Sequence, residues 1–276
     1  MIGSGLNRLR RIATPAGWQV ERVWHPDALA ELGADMHMEV AAQRLAAQHG
    51  LAPPVLGFDP VAGVMRMPWV EGVPLEVDWH RRDGRRAAMR EMLERLRGVP
   101  AGGLKPLDLP ERVRLLHRRL AARDAARATM HAPAVEHALA AWDAASSLGP
   151  QSGSQASSSP AAGAAPCLVH GDLTPGNILV REDGSLLLLD WEYAHAGGPW
   201  DDLAALCAAA EDDAFAGWTS SVPVTEHARF AAMRDLRRTL DALWYALAAT
   251  LGAAPRDDAP SAAGPQTGIR PRPEAH

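Results

Sequence analysis

Apolar residues recur along this chain with two different spacings, and the change of spacing divides it. Met89, Met92, Leu93 and Leu96 fall at i, i+3, i+4 and i+7, and Phe230, Met233, Leu236, Leu240, Leu243, Trp244 and Leu247 continue such a stripe across residues 229–249. Both segments predict helices with one buried face. Nearer the front, residues 18–24 alternate as a strand does, and residues 35–49 carry Met36, Val40 and Leu45 among small residues at roughly helical spacing. Two short apolar runs, Ile178 to Val180 and 186–189, flank an Asp-Gly turn signal at residues 181–185 and predict a β-hairpin.

A hairpin returns the chain to its starting end. Asn177, just before the first strand, and Asp190, just after the second, therefore come side by side, with Asp172 on the loop that leads in. An amide oxygen and a carboxylate so placed suit Mg²⁺. Taken singly, the Asp, Asn, Gly and Pro of this stretch are ordinary turn formers. Their joint spacing, with His170 at the head of HGDLTPGN, is what turn preference leaves unexplained.

Length and charge narrow the classes further. A chain of 276 residues suits one large or two modest domains, and a formal charge of −5 argues against general binding to nucleic acid or to an anionic membrane. Arg85, Arg86, Arg90, Arg95 and Arg97, like Arg112, Arg114, Arg118 and Arg119, read as solvated helix faces. Cys167 and Cys207 belong to no metal or redox spacing, which suits packing roles in a reducing cytoplasm. No signal peptide is apparent, and the apolar stretch at 242–254 is too short to span a bilayer, so a soluble protein is expected. Residues 149–166 read as a flexible insertion, and 253–276 as a disordered tail.

HGDLTPGN at 170–177, followed by LLDWEYA, resembles the aminoglycoside phosphotransferase and choline kinase superfamily, above all its choline-kinase-like and thiamine-kinase-like bacterial branches. The same letters fit the protein-kinase loop, but Gly171 stands where protein kinases usually carry Arg, and no Ala-Pro-Glu motif follows Asp190. The resemblance implies a bilobal α+β, protein-kinase-like fold, with a small strand-rich lobe over 1–72 and a larger, mostly helical lobe over 73–252. It implies ATP and Mg²⁺ as cofactors, with Asp172 orienting or deprotonating the acceptor hydroxyl, Asn177 and Asp190 holding the metal, and His170 bracing the loop.

The same resemblance aligns Arg22 with the basic residue that grips the α- and β-phosphates and Glu39 with the helix carboxylate that positions it; alone, each reads as a surface charge. Gly3 and Gly5 match the turn that covers the phosphates, with the strand before it shortened. GLAPPV at 50–55 and MRMPWVEG at 65–72 match strand and hinge segments, placing adenine near Met67 and Val70. Asp202 is either a brace accepting backbone hydrogen bonds from the catalytic loop or the N-cap of a helix from Leu203. Glu192, Trp191, Tyr193 and Trp200 supply a carboxylate and aromatic faces to a cationic acceptor, or else pack in the core. The implied activity is phosphoryl transfer to a hydroxyl of a small cationic metabolite, with thiamine or choline ahead of an aminoglycoside. The alternative is a pseudokinase-like protein that binds nucleotide without turnover.

Overall fold

The computed structural model describes residues 6–147, 165–209 and 216–252. Gly3, Gly5, nearly all of the 149–166 segment and the 253–276 tail lie outside the described residues. In the first part of the chain β1 (Arg8–Thr14) and β2 (Gly17–Val23) form a hairpin, followed by α1 (Pro26–Ala30) and α2 (Met36–Gln48). β3 (Gly57–Asp59) and β4 (Val64–Pro68) complete an antiparallel sheet in the order β1-β2-β4-β3. Residues 50–55, matched above to a strand and hinge, run irregularly before β3.

The helix after β2 starts where Asp35 sits in extended backbone and its carboxylate accepts from the amides of His37 and Met38, satisfying donors a helix start leaves open. α2 then turns Val40 inward onto Trp24, Met65 and Met67, which form the apolar core of the small lobe.

The chain leaves this sheet through residues 69–72. The crossing is tight: a Cβ at Gly72 would lie 2.9 Å from the Val180 carbonyl oxygen, too near for any other residue without a shift. The large lobe follows with β5 (Val73–Pro74), α3 (Asp83–Arg97), α4 (Leu109–Arg123), α5 (Ala125–Ser147), β6 (Cys167–Val169), β7 (Ile178–Val180), β8 (Leu186–Leu188), β9 (His195–Gly197), α6 (Asp201–Ala209), α7 (Ala216–Thr219) and α8 (His227–Thr250). β5 pairs with β7, β7 with β8, and β6 with β9, all antiparallel. The two-lobed α+β architecture is the one expected from the sequence.

α4, α5, α6 and α8 share the main core, in which α8 buries Phe230, Met233, Leu236, Leu243 and Leu247. Leu236 is fully enclosed, so truncation to Ala would destabilise by about 2–5 kcal/mol. Two arginines assigned above to solvated faces are only partly exposed. Arg112 reaches from α4 to donate to the Leu32 carbonyl, filling the space where Gly33 has φ +68 and no side chain. Arg97, half-buried, donates to the Pro199 carbonyl at 2.7 Å and lies over the Trp200 ring.

Candidate active site

The loop after β6 is held at several points before it presents Asp172. Asp202, in the first turn of α6, accepts the His170 amide at 3.0 Å and the Gly171 amide at 2.9 Å, one on each carboxylate oxygen. The His170 ring is buried against Trp191, with centroids 4.5 Å apart. Its Nδ1 accepts the Asp172 amide at 3.2 Å, which assigns the ring proton to Nε2, 2.9 Å from the Leu189 carbonyl oxygen. Gly171 has φ +81, and a Cβ there would stand 2.5 Å from the Tyr193 carbonyl oxygen, so the position accepts glycine alone.

Asn177 ends a short 3-10 turn and donates through Nδ2 to both the backbone oxygen of Asp172, at 3.0 Å, and its carboxylate, at 2.7 Å. The hairpin register sets Ile178 opposite Leu188, and the Leu189 amide donates to the Asn177 carbonyl at 2.8 Å. Asp190 follows directly, so the expected neighbours are neighbours. Its φ of 63 makes it the one non-glycine residue with positive φ among the described residues. Asp tolerates that left-handed conformation better than most residues, and such strain concentrates at functional positions.

Arg22 lies beneath the small-lobe sheet and bridges the lobes. Its Nη2 is 2.8 Å from Asp190 Oδ1 and 2.8 Å from Glu192 Oε2, while Nε stands 2.9 Å from Glu39 Oε1, at an angle that makes this an ion pair rather than a hydrogen bond. Burial pushes the guanidinium's affinity for its proton down, but Asp190, Glu39 and Glu192 outweigh burial and hold it above the usual value. Burial also pushes the Glu39 carboxyl up, against the pull of Arg22; Trp24 Nε1 donates to its other oxygen at 2.6 Å. Asn7 donates to Glu192 at 2.7 Å, so the segment before β1 also reaches this cluster.

Asp172 and Glu192 line a cavity of about 350 Å³ between the lobes and the helices. Its aromatic wall corrects the sequence reading. Trp191 is fully buried, packed on His170 with its indole donating to the Leu188 carbonyl, and does not line the cavity. Trp200 is also absent from the lining; it packs under Arg97. Tyr193, Trp244 and Tyr245 form the wall instead, with Trp244 Nε1 donating to the Tyr193 hydroxyl at 2.5 Å. Burial, reinforced by Glu192, raises the Tyr193 phenol well above its usual range, so it stays protonated. Sequence reasoning missed Trp244 as a lining residue because it sits in an apolar stripe, and missed Arg237, which lines the same cavity from α8. Met67 is a core residue of the small lobe, and Val70 lies half-buried in the crossing segment.

Several solved structures share this fold. Choline kinase LicA from Streptococcus pneumoniae superposes with a TM-score of 0.68 at 18% identity, covering 92% of this chain and 85% of that one. Plasmodium vivax ethanolamine kinase gives 0.64 at 12% identity over 93% and 77%. Aminoglycoside phosphotransferase APH(4)-Ia gives 0.63 at 17% identity over 94% and 87%. No curated protein sequence matches the chain. Residues 20–236, which include Arg22, Asp172, Asn177, Asp190 and Asp202, match the model of the phosphotransferase enzyme family APH, and the chain belongs to that family.

Proposed function

We propose that the protein transfers the γ-phosphoryl group of ATP to a hydroxyl of a small metabolite, with Mg²⁺ as the metal. The observation that carries this reading is the convergence on one loop and hairpin of Asp172, Asn177 and Asp190, with Arg22 held against Asp190 from the other lobe. Solved relatives of the fold support the nucleotide: LicA has been crystallised with AMP, and APH(4)-Ia with ADP and hygromycin B.

Asn177 and Asp190 fit a hard cation that takes few protein oxygens and fills its remaining positions with water and phosphate. Bound there, Mg²⁺ would neutralise charge on the phosphates. Asp172 is the group that receives the acceptor's proton as the acceptor oxygen bonds to phosphorus and the bond from phosphorus to the ADP oxygen breaks. The Asn177 amide, donating to that carboxylate, fixes its orientation. His170 and Asp202 position the loop without touching the reacting atoms. Arg22 offers a fork for phosphate oxygens, with Glu39 holding its Nε end.

On the acceptor side, Tyr193, Trp244 and Tyr245 with Glu192 and Asp241 suit a positively charged group. Buried free thiols at Cys167 and Cys207 fit a reducing cytoplasm. A second reading, nucleotide binding without turnover, is favoured by the commitment of Arg22 to three carboxylates. Labelled ATP, Mg²⁺ and a panel of small alcohols separate the two. Labelled product is expected; nucleotide binding with no transfer to any alcohol overturns the kinase reading.

A further inference from the structure

Among the described residues Arg237 is a buried arginine that makes no ion pair with a carboxylate. It is 3% exposed, on α8, yet lines the cavity that holds Asp172. Among the described residues no Asp or Glu oxygen lies within ion-pair distance of it, and its Nε makes no hydrogen bond. Its polar neighbour is a ring nitrogen: Nη2 stands 3.3 Å from His195 Nε2. His195 Nδ1 is 2.9 Å from the Tyr193 carbonyl oxygen, so the proton belongs on Nδ1 and Nε2 offers a lone pair to the guanidinium. Asp201, itself buried, meets the same ring nitrogen, its Oδ2 3.6 Å from Nε2, so the histidine stands between the carboxylate and the guanidinium. A buried guanidinium that no carboxylate contacts directly is left incompletely paired, and that is unfavourable.

Other cations share the lining. Lys105 is 3.9 Å from Asp35, and Arg112 donates to the Leu32 carbonyl. The cavity therefore combines an acidic and aromatic side, with Asp172, Glu192, Tyr193 and Trp244, and a basic element, Arg237. We infer that the acceptor carries an anionic group, a carboxylate or a phosphate, as well as its hydroxyl, and that Arg237 receives that group. This rests on the phosphotransferase reading and names its substrate class. A planar fork with an unused Nε–H matches two oxygens of one anion, and a bound acceptor would bring that anion into direct contact with the guanidinium. With an ammonium group against the aromatic wall, the best acceptor is a hydroxylated zwitterion.

Matched pairs test this on the full chain. Choline and carnitine share a hydroxyl and a trimethylammonium group, and carnitine adds a carboxylate; glycerol and glycerol 3-phosphate differ by a phosphate. Thermal melting without nucleotide and kcat/KM with ATP and Mg²⁺ are measured for each. In at least one pair the anionic member is expected to bind about tenfold better, and in Arg237→Gln that ratio should fall below about twofold, with Arg237→Lys intermediate. Equal binding within both pairs, or a preference that survives Arg237→Gln, overturns the inference. If Arg237→Gln does not fold, the ratio in Arg237→Lys decides, because an undiminished preference in that variant excludes the fork. The two arms tell carboxylate from phosphate. A wild-type melt that ATP and Mg²⁺ do not shift rejects the phosphotransferase reading, whereas the anion preference is read from nucleotide-free melts.

Discussion

Arg22 and Arg237 are buried to the same degree, 3% exposed, in opposite electrostatic settings. Three carboxylates, from α2 and from the segment after β8, surround Arg22. Arg237 meets a histidine ring and an apolar helix stripe. Arg22 therefore meets its counter-charges within the chain, while Arg237 has no carboxylate in contact among the described residues. Burial alone does not distinguish an arginine with internal counter-charges from one without; the inventory of partners does.

The largest expected effect falls on the group between the two. Asp172→Asn keeps volume and removes the proton acceptor, so transfer should drop by about 100- to 10,000-fold while nucleotide binding and melting temperature hold. Turnover at the wild-type rate would remove Asp172 from the role of proton acceptor. Next, Arg22→Met leaves Glu39, Asp190 and Glu192 facing one another in a buried site and should destabilise by about 3–5 kcal/mol in denaturant titration. Arg237→Met removes a buried charge that no carboxylate contacts, so stability without ligand should hold or rise; a loss equal to that of Arg22→Met would collapse the comparison.

Gly171→Ala tests the frame that holds both sides together. Its positive φ and the Tyr193 carbonyl 2.5 Å from an added Cβ predict a loss of about 1–3 kcal/mol together with activity. An unperturbed melt would mean the loop relaxes freely. Smallest is the aromatic contrast. Trp244→Phe, which removes the indole donor to Tyr193, should raise acceptor KM by about three- to tenfold, whereas Trp200→Ala should leave acceptor KM within about twofold. The reverse order would restore Trp200 to the acceptor site.

The hairpin and its flanking residues were legible because an Asp-Gly turn between two apolar runs fixes both strand ends, which sets Asn177 and Asp190 at the same end. Arg22 and Glu39 were legible only through resemblance; nothing in GWQVERV distinguishes a buried arginine from an exposed one. β1 escaped because Arg8, Arg10 and Arg11 interrupt its alternation, and the strand stays largely open to solvent. α5 escaped because an alanine-rich segment has no large apolar period; just Ala128, Val135, Ala138 and Trp142 are buried along it. Trp191 and Trp200 were misplaced because aromatic identity says nothing about which side of a loop the ring takes. Arg237 left one trace: it falls on the stripe of Met233, Leu240 and Trp244, where a helix exposed on that face would not need apolar neighbours.

The partners of Arg22 also divide by lobe. Glu39 travels with Arg22 on the small lobe, whereas Asp190 and Glu192 belong to the large one, whose β5 is clamped to β7 directly after the crossing at 69–72. Any widening of the cleft must therefore tear two charged contacts at one nitrogen while leaving the third intact. The arginine acts as a latch between the lobes, caught on Asp190 and Glu192. On the proposed phosphotransferase reading, a phosphate that competes for the fork would release that catch.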